Sequence, residues 1–194
     1  MAEHVCVSCN MCCDGSMFDR VEVAPSDLDR MSDRSDVRTD TAEGYRYLKQ
    51  GCGRLGADGR CGCYAERPSR CRIYNCQLVG RLGSGEIGEA EAHETVREMR
   101  RLKSEFVDLC RVEVPATFWP EQEYGARGAF CAMRDAFDAG RPFPQSVQTA
   151  LFTAWFAYLA FVREHFEETF GDLAEVAARY EAQRAIREKD RAMA

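Results

Sequence analysis

The sequence predicts a mainly α-helical protein in which an irregular cysteine-rich module precedes a helical region of about four helices. Two observations support this prediction. Nine of the eleven cysteines lie between Cys6 and Cys76, in a stretch that is rich in glycine and polar residues. After the glycine-rich segment 80–88, apolar residues recur every three or four positions, which is typical of helices. We therefore expect two domains, residues 1–80 and residues 86–194.

The first domain is predicted to contain little regular structure. Residues 21–23 indicate a short strand, and Ser26 is placed to cap a short helix after Pro25. The polar and acidic residues 32–44 predict a loop, and five glycines between positions 51 and 62 predict turns. This domain has too little apolar periodicity to fold by hydrophobic burial alone.

The second domain is predicted to be helical throughout. Helical spacing of apolar residues extends over residues 89–110 and again over residues 129–139. A long apolar stripe follows from Val147 to Phe170, and a last helix begins near Leu173. These four segments account for the helices expected in this half of the chain.

Charge and hydropathy exclude several classes of protein. The chain has 26 basic and 32 acidic residues, a net charge of −6, which argues against a general nucleic-acid-binding role. The uncharged apolar stretch 149–162 is shorter than the roughly 20 residues that a bilayer requires, so it predicts a buried core helix. The N-terminus shows neither the basic nor the apolar part of a secretory signal, and we expect a cytoplasmic protein with reduced cysteines.

The cysteines fall into two runs whose spacing indicates metal ligation. Two residues between thiolates allow both sulfurs to reach one metal ion, and soft thiolates favour zinc or iron–sulfur centres. Eight or nine thiolates are enough for two four-ligand sites, or for one cluster with spare cysteines. The first run contains Cys6, Cys9, Cys12 and Cys13, and the second contains Cys52, Cys61, Cys63, Cys71 and Cys76.

This arrangement resembles the YkgJ-type CxxCxxCC proteins, a family described as a zinc- or iron-chelating domain. The resemblance covers about residues 4–80. Beyond the first run, it rests on a pattern close to G-x-C-x-I-Y-x-x-R-P-x-x-C-R-x-Y. That pattern falls here on Gly59, Cys61, Tyr64, Arg67, Pro68, Cys71, Arg72 and Tyr74. The chain departs from it at Cys63, where the family usually has an aliphatic residue.

The resemblance implies a bound zinc or iron, the latter including a [4Fe–4S] cluster. Two alternatives stay open: an iron–sulfur-dependent enzyme similar to flagellin lysine N-methylases, and a thiol redox sensor. Cys63 is either an additional ligand or a small buried substitute, whereas Cys110 and Cys131 are expected to be core residues. The ligands implied by the resemblance are Cys6, Cys9, Cys12, Cys13, Cys52, Cys61, Cys71 and Cys76.

Arginines are concentrated around the second run of cysteines. Residues 52–81 contain six arginines and only two acidic residues. Guanidinium groups lower thiolate pKa values and offset the negative charge of a thiolate site. We therefore consider Arg67 and Arg72 as donors that orient the site; the alternative is that Arg67 pairs with an acidic residue and Arg72 is solvated.

Overall fold

Apolar periodicity in the second half of the chain produces three long helices that pack on one another. The computed structural model describes residues 2–41, 44–120 and 125–166. Within these residues the α-helices are α1 (Ala2–Cys9), α2 (Pro25–Leu28), α3 (Ser69–Ile73), α4 (Gln77–Ser84), α5 (Glu89–Glu113), α6 (Gly125–Asp138) and α7 (Gln145–His165). The strands are β1 (Arg20–Val23), β2 (Val37–Thr39) and β3 (Arg46–Lys49).

The main core lies where α5 packs against α6 and α7. Trp155 on α7 stacks on Phe130 of α6 with ring centroids 4.4 Å apart, and it also contacts Phe106 of α5 at 5.0 Å. The predicted helices at 89–110 and 129–139 and the core helix at 149–162 are thus confirmed. The helix predicted from Leu173 lies outside the described residues.

The N-terminal cysteine segment shares this core. Val5, Met11 and Met17 are buried in the same apolar cluster as α5, α6 and α7. Polar contacts also fix the segment to α5: Lys103 Nζ lies 2.5 Å from a carboxylate oxygen of Asp14. The expected division near residue 80 stays a prediction, and the packing shows that the N-terminal segment is seated directly on the helices.

A small antiparallel sheet lies between the two cysteine runs. β3 is its central strand, and Leu48 is opposite both Val21 of β1 and Val37 of β2. Leu48 is buried with Val23 and Met31 in a second, much smaller apolar cluster. This cluster is small, so burial contributes little to holding this part of the chain.

The first half is more regular than the sequence predicts. β1 confirms the strand at residues 21–23, whereas α1, α3, α4, β2 and β3 were not predicted, so the cysteine-rich module contains more regular structure than expected. Ser26 is not the helix cap, because α2 begins at Pro25 and Ala24 is its N-cap residue. In the part of the chain that the structure describes, no helix combines the length and apolarity needed to cross a membrane.

Candidate metal centre

The first run of cysteines lies on α1 and on the turn that follows it. Cys6 and Cys9 are three residues apart in the helix, so their side chains share one face. The helix ends at Asn10, whose φ of 61° is left-handed, a conformation that asparagine adopts more readily than most residues. The carbonyl of Asn10 then accepts hydrogen bonds from the N–H groups of Cys13 and Asp14. The chain therefore reverses at once and brings Cys12 and Cys13 back toward the helix end.

The second run begins with a tight loop that carries Cys61 and Cys63. Leu55 forms an antiparallel bridge with Cys61, and the N–H of Gly62 donates to the carbonyl of Arg54 over 2.7 Å. The loop folds back on itself for this reason, and the Sγ atoms of Cys61 and Cys63 lie 3.7 Å apart.

Main-chain hydrogen bonds join the two runs. The N–H of Cys52 donates to the carbonyl of Cys13 over 2.7 Å. The buried side-chain amide of Gln50, oriented with its nitrogen toward the same turn, donates to the carbonyls of Cys12 (2.8 Å) and Cys13 (3.3 Å). These contacts keep the start of the second run next to the end of the first.

The last two cysteines are positioned by short helices. Cys71 lies on α3, whose first residue, Ser69, donates through its N–H and its hydroxyl to the buried Asp27. Cys76 is the residue immediately before α4. Burial raises the pKa of the Cys76 thiol, while the N–H groups of Val79 and Leu78 at the start of α4 act in the opposite direction.

The strongest electrostatic neighbours of each thiol sort the cysteines into two groups, which adjoin at Cys12 and Cys13. Burial raises the pKa of Cys9 to about 12, and the charges of Cys76 and Cys6 raise it further. Burial also raises the pKa of Cys12 well above its usual value, with Cys9 and Cys76 as its strongest charged neighbours. We call this set the first thiol group: Cys6, Cys9, Cys12 and Cys76.

The second set surrounds the loop at residues 52–63. Burial raises the pKa of Cys13 to about 12, with Cys52, Cys71 and Cys61 as its strongest charged neighbours. Burial raises the pKa of Cys71 to about 11, and Cys52 and Cys61 add to this increase. The charge of Cys63 acts to raise the pKa values of Cys52, Cys61 and Cys71. We call this set the second thiol group: Cys13, Cys52, Cys61, Cys63 and Cys71.

Two effects raise these pKa values in the same direction. Partial burial and the proximity of other thiolates both make the ionised form of each thiol less favourable. A bound metal cation reverses this preference, because a coordinated thiol loses its proton. The donors are soft sulfur atoms, which fit zinc or iron and not magnesium or calcium.

Comparison with known proteins agrees with this chemistry. Residues 5–132 match a family model described as "CxxCxxCC: Putative zinc- or iron-chelating domain". The chain belongs to the CxxCxxCC family. The match extends beyond the cysteine runs through α5 and into α6, further than the resemblance at residues 4–80. No curated protein and no solved structure matches the chain.

The CxxCxxCC thiols are gathered in groups but do not converge on a point. Among the described residues, no three Cys, His, Asp or Glu side chains are placed so that together they could hold a metal ion. To share a metal ion, their donor atoms have to come closer together than they are here. The placement of all eight ligands implied by the family therefore stays a prediction.

Arg54 is a residue of the site that sequence reasoning missed. Its side chain is only 10% exposed and donates to Asp36 through Nε (2.9 Å) and Nη2 (2.5 Å). The Cys63 thiol raises the pKa of Arg54, and the charge of Arg54 opposes the effect of burial on the pKa of Cys52. Its position two residues after Cys52, in the arginine-rich segment, was the available signal.

Arg67 and Arg72 differ in their surroundings. The guanidinium of Arg67 stacks on Tyr64, with Cζ 3.9 Å from the ring centroid, and its charge lowers the pKa of Cys71 against the effect of burial. Its buried Nε has no hydrogen-bond partner within the described residues, so a donor is left for an anionic group. Arg72 is exposed, which favours the solvated alternative.

The two cysteines outside the runs lie on the long helices. Cys110 on α5 is fully buried in the main core, as predicted. Cys131 on α6 is half-buried. Neither of these two cysteines is among the charged groups that act on the pKa values of Cys12 and Cys13.

Proposed function

We propose that the protein holds metal at two neighbouring thiolate sites, one built from the first thiol group and the other from four members of the second. The division is supported by which thiols act most strongly on each pKa, together with the main-chain contacts that hold the two runs side by side. Cys76 and Cys6 act on Cys9, and Cys9 and Cys76 act on Cys12 ahead of Cys13. Cys52, Cys71 and Cys61 act most strongly on Cys13. Together the two groups contain all eight cysteines implied by the family.

The role that follows from this placement is structural. The only apolar cluster beside the strands is that of Val23, Met31 and Leu48 among the described residues, so burial stabilises this part weakly. Metal binding to ligands that are assembled only in the folded chain contributes directly to the free energy of folding. Each site would join residues from both cysteine runs, which fixes the loops to the N-terminal segment on α5.

The identity of the metal and the compartment are part of the same proposal. Four thiolates suit a tetrahedral zinc ion and equally an iron–sulfur cluster such as [4Fe–4S]. Thiolate ligation requires reduced cysteines, which fits a cytoplasmic protein. Metal analysis with a visible spectrum of protein purified without oxygen separates a colourless zinc protein from a brown iron–sulfur protein.

Paired cysteine-to-serine variants test the division into two sites. The within-group doubles C9S/C76S and C61S/C71S should each lose one half of the bound metal, because the other group keeps four ligands. The cross-group triple C9S/C61S/C71S should reduce metal binding at both sites, because it leaves only three thiols in each group. C131S, on α6 away from both groups, is the matched control and should bind as the wild type does.

The opposite pattern would contradict the proposal. If either within-group double removes all the metal, the thiols form one centre and not two. If none of the doubles changes the metal content, these cysteines are not ligands. Circular dichroism of each variant checks that α5, α6 and α7 remain folded.

A further inference from the structure

Cys63 occupies a position in the second thiol group that the family pattern does not explain. It follows Cys61 by two residues in the tight loop, and the two Sγ atoms lie 3.7 Å apart. Its side chain is half-buried. An aliphatic residue at this position would only pack against its neighbours. A thiol at the same position therefore requires a chemical explanation.

The distance between the two sulfurs fits two ligands of one metal ion. Zinc–sulfur bonds of about 2.3 Å in a tetrahedral site place neighbouring sulfurs about 3.8 Å apart. The Cys61–Cys63 separation is within about 0.1 Å of that edge. The other thiols of the group need to move before they converge, whereas this pair already has the spacing of a coordination shell.

Arg54 holds Cys63 at this position from the protein side. The guanidinium is fixed by two hydrogen bonds to Asp36 and by a third to the carbonyl of Asp33 (2.6 Å). From there the guanidinium interacts with the Cys63 thiol, which raises the pKa of Arg54. A fixed donor to a ligand atom is the usual way in which proteins orient a metal ligand and balance its charge.

We propose that Cys63 is a ligand of the second metal site, paired with Cys61 and oriented by Arg54. This inference rests on the proposed two-site arrangement. A tetrahedral ion takes four thiolates and the second group contains five. One other thiol of that group is therefore left unligated, and this chain differs from its family in which cysteines bind.

Residue-resolved alkylation of the zinc-loaded full-length protein tests the proposal. Zinc-bound thiolates react slowly with iodoacetamide, so mass spectrometry should show Cys63 protected more than tenfold relative to the chelated protein, together with Cys61. The outcome that overturns the inference is protection of Cys61 and Cys71 with Cys63 reacting at its metal-free rate. If Cys61 and Cys71 are not protected either, the two-site proposal itself fails.

The variant Cys63→Val provides a second readout that does not depend on loss of the fold. It restores an aliphatic residue of the kind the family usually has, so the loop should keep its packing. Zinc should then recruit the thiol that was unligated in the wild type, and that thiol should change from reactive to protected. An alkylation pattern unchanged from the wild type at every other cysteine would contradict the inference; C131S serves as the control.

Discussion

The N–H of Cys52 donates a 2.7 Å hydrogen bond to the carbonyl oxygen of Cys13, so the end of the first cysteine run and the start of the second are joined through the main chain. Gln50 strengthens the same junction by donating to the carbonyls of Cys12 and Cys13. These main-chain contacts bring the two cysteine runs together.

Metal removal should loosen this junction selectively. In the proposed two-site arrangement, chelation would remove the cations that link the two runs. We then expect amide hydrogen exchange to accelerate at Cys52 and Gly62, whose N–H groups hold the loop. Exchange in α5 and α7 should change much less, because their core is apolar. Exchange followed by mass spectrometry with and without chelator checks this, and equal protection of the Cys52 amide in both states would contradict a structural role for the metal.

Gly59→Ala should destabilise the contact between the loop and the N-terminal helix. Gly59 has a φ of 78°, and a Cβ there would lie 2.5 Å from the carbonyl oxygen of Val7 and 2.7 Å from Nδ2 of Asn10. We expect a loss of about 1–3 kcal/mol in unfolding free energy, measured by urea denaturation of the metal-loaded protein.

The matched control for this substitution is Gly53→Ala in the same loop. A Cβ at Gly53 meets nothing within 4 Å, and its φ is not left-handed. This variant should stay within about 0.5 kcal/mol of the wild type. Equal stability of the two variants would show that the approach of Gly59 to Val7 does not constrain the fold.

The helices were predictable where periodicity is long. α5 extends over many turns with apolar residues on one face, such as Val96 and Met99, and α7 carries the long apolar stripe, so both repeats are strong signals. α4 is not predicted because Gly80 and Gly83 disfavour helix. Leu78 is nevertheless buried in the main core, and tertiary packing outweighs that propensity.

The cysteine segment was harder to predict for a different physical reason. α1 has eight residues, too few for periodicity to show, and its stability comes from contacts with α5, including a hydrogen bond from Arg100 to the carbonyl of Ser8 (2.9 Å). The spacing of the cysteines was enough to indicate metal binding. The division between the two thiol groups depends on long-range contacts such as Cys13 with Cys52, which no local pattern reveals.

Arg54→Ala should weaken metal binding at the second site and leave the first unchanged. The substitution removes the guanidinium that interacts with Cys63 and the positive charge that acts on Cys52. Loss of a partner that orients a metal ligand typically costs about 10–100-fold in affinity, and we expect a decrease in that range. Competition with a chromophoric chelator measures it.

Arg60→Ala is the control for this prediction, since Arg60 lies in the same loop but its side chain is 64% exposed. Its removal should change zinc affinity very little, because an exposed charge is screened by solvent. If both variants lose zinc affinity to the same extent, the general positive charge of the loop accounts for the effect. The specific contact of Arg54 with Cys63 would then make no contribution to zinc binding.

Asp27→Asn should destabilise the connection between α2 and α3 and, through α3, the placement of Cys71. The fully buried carboxylate of Asp27 accepts hydrogen bonds from Ala24, from Arg30 and twice from Ser69. Burial by itself would raise its pKa, but these hydrogen bonds outweigh burial and hold the pKa below 3.8. An amide offers one acceptor oxygen where the carboxylate offers two, so we expect a loss of about 1–3 kcal/mol at neutral pH.

The same residue predicts a pH dependence with a definite sign. Because the folded-state pKa of Asp27 is lowered, its contribution to stability is complete above the ordinary value of 3.8 and is lost as the pH falls through the lower folded-state value. The difference in unfolding free energy between the wild type and Asp27→Asn should therefore be constant near neutrality and shrink below pH 3.8. Acidic pH also releases metal, and this effect is common to all variants. Asp29→Asn, at an exposed position, is the control for it. A difference for Asp27→Asn that stays the same down to strongly acidic pH would show that its hydrogen bonds do not depend on the ionised carboxylate.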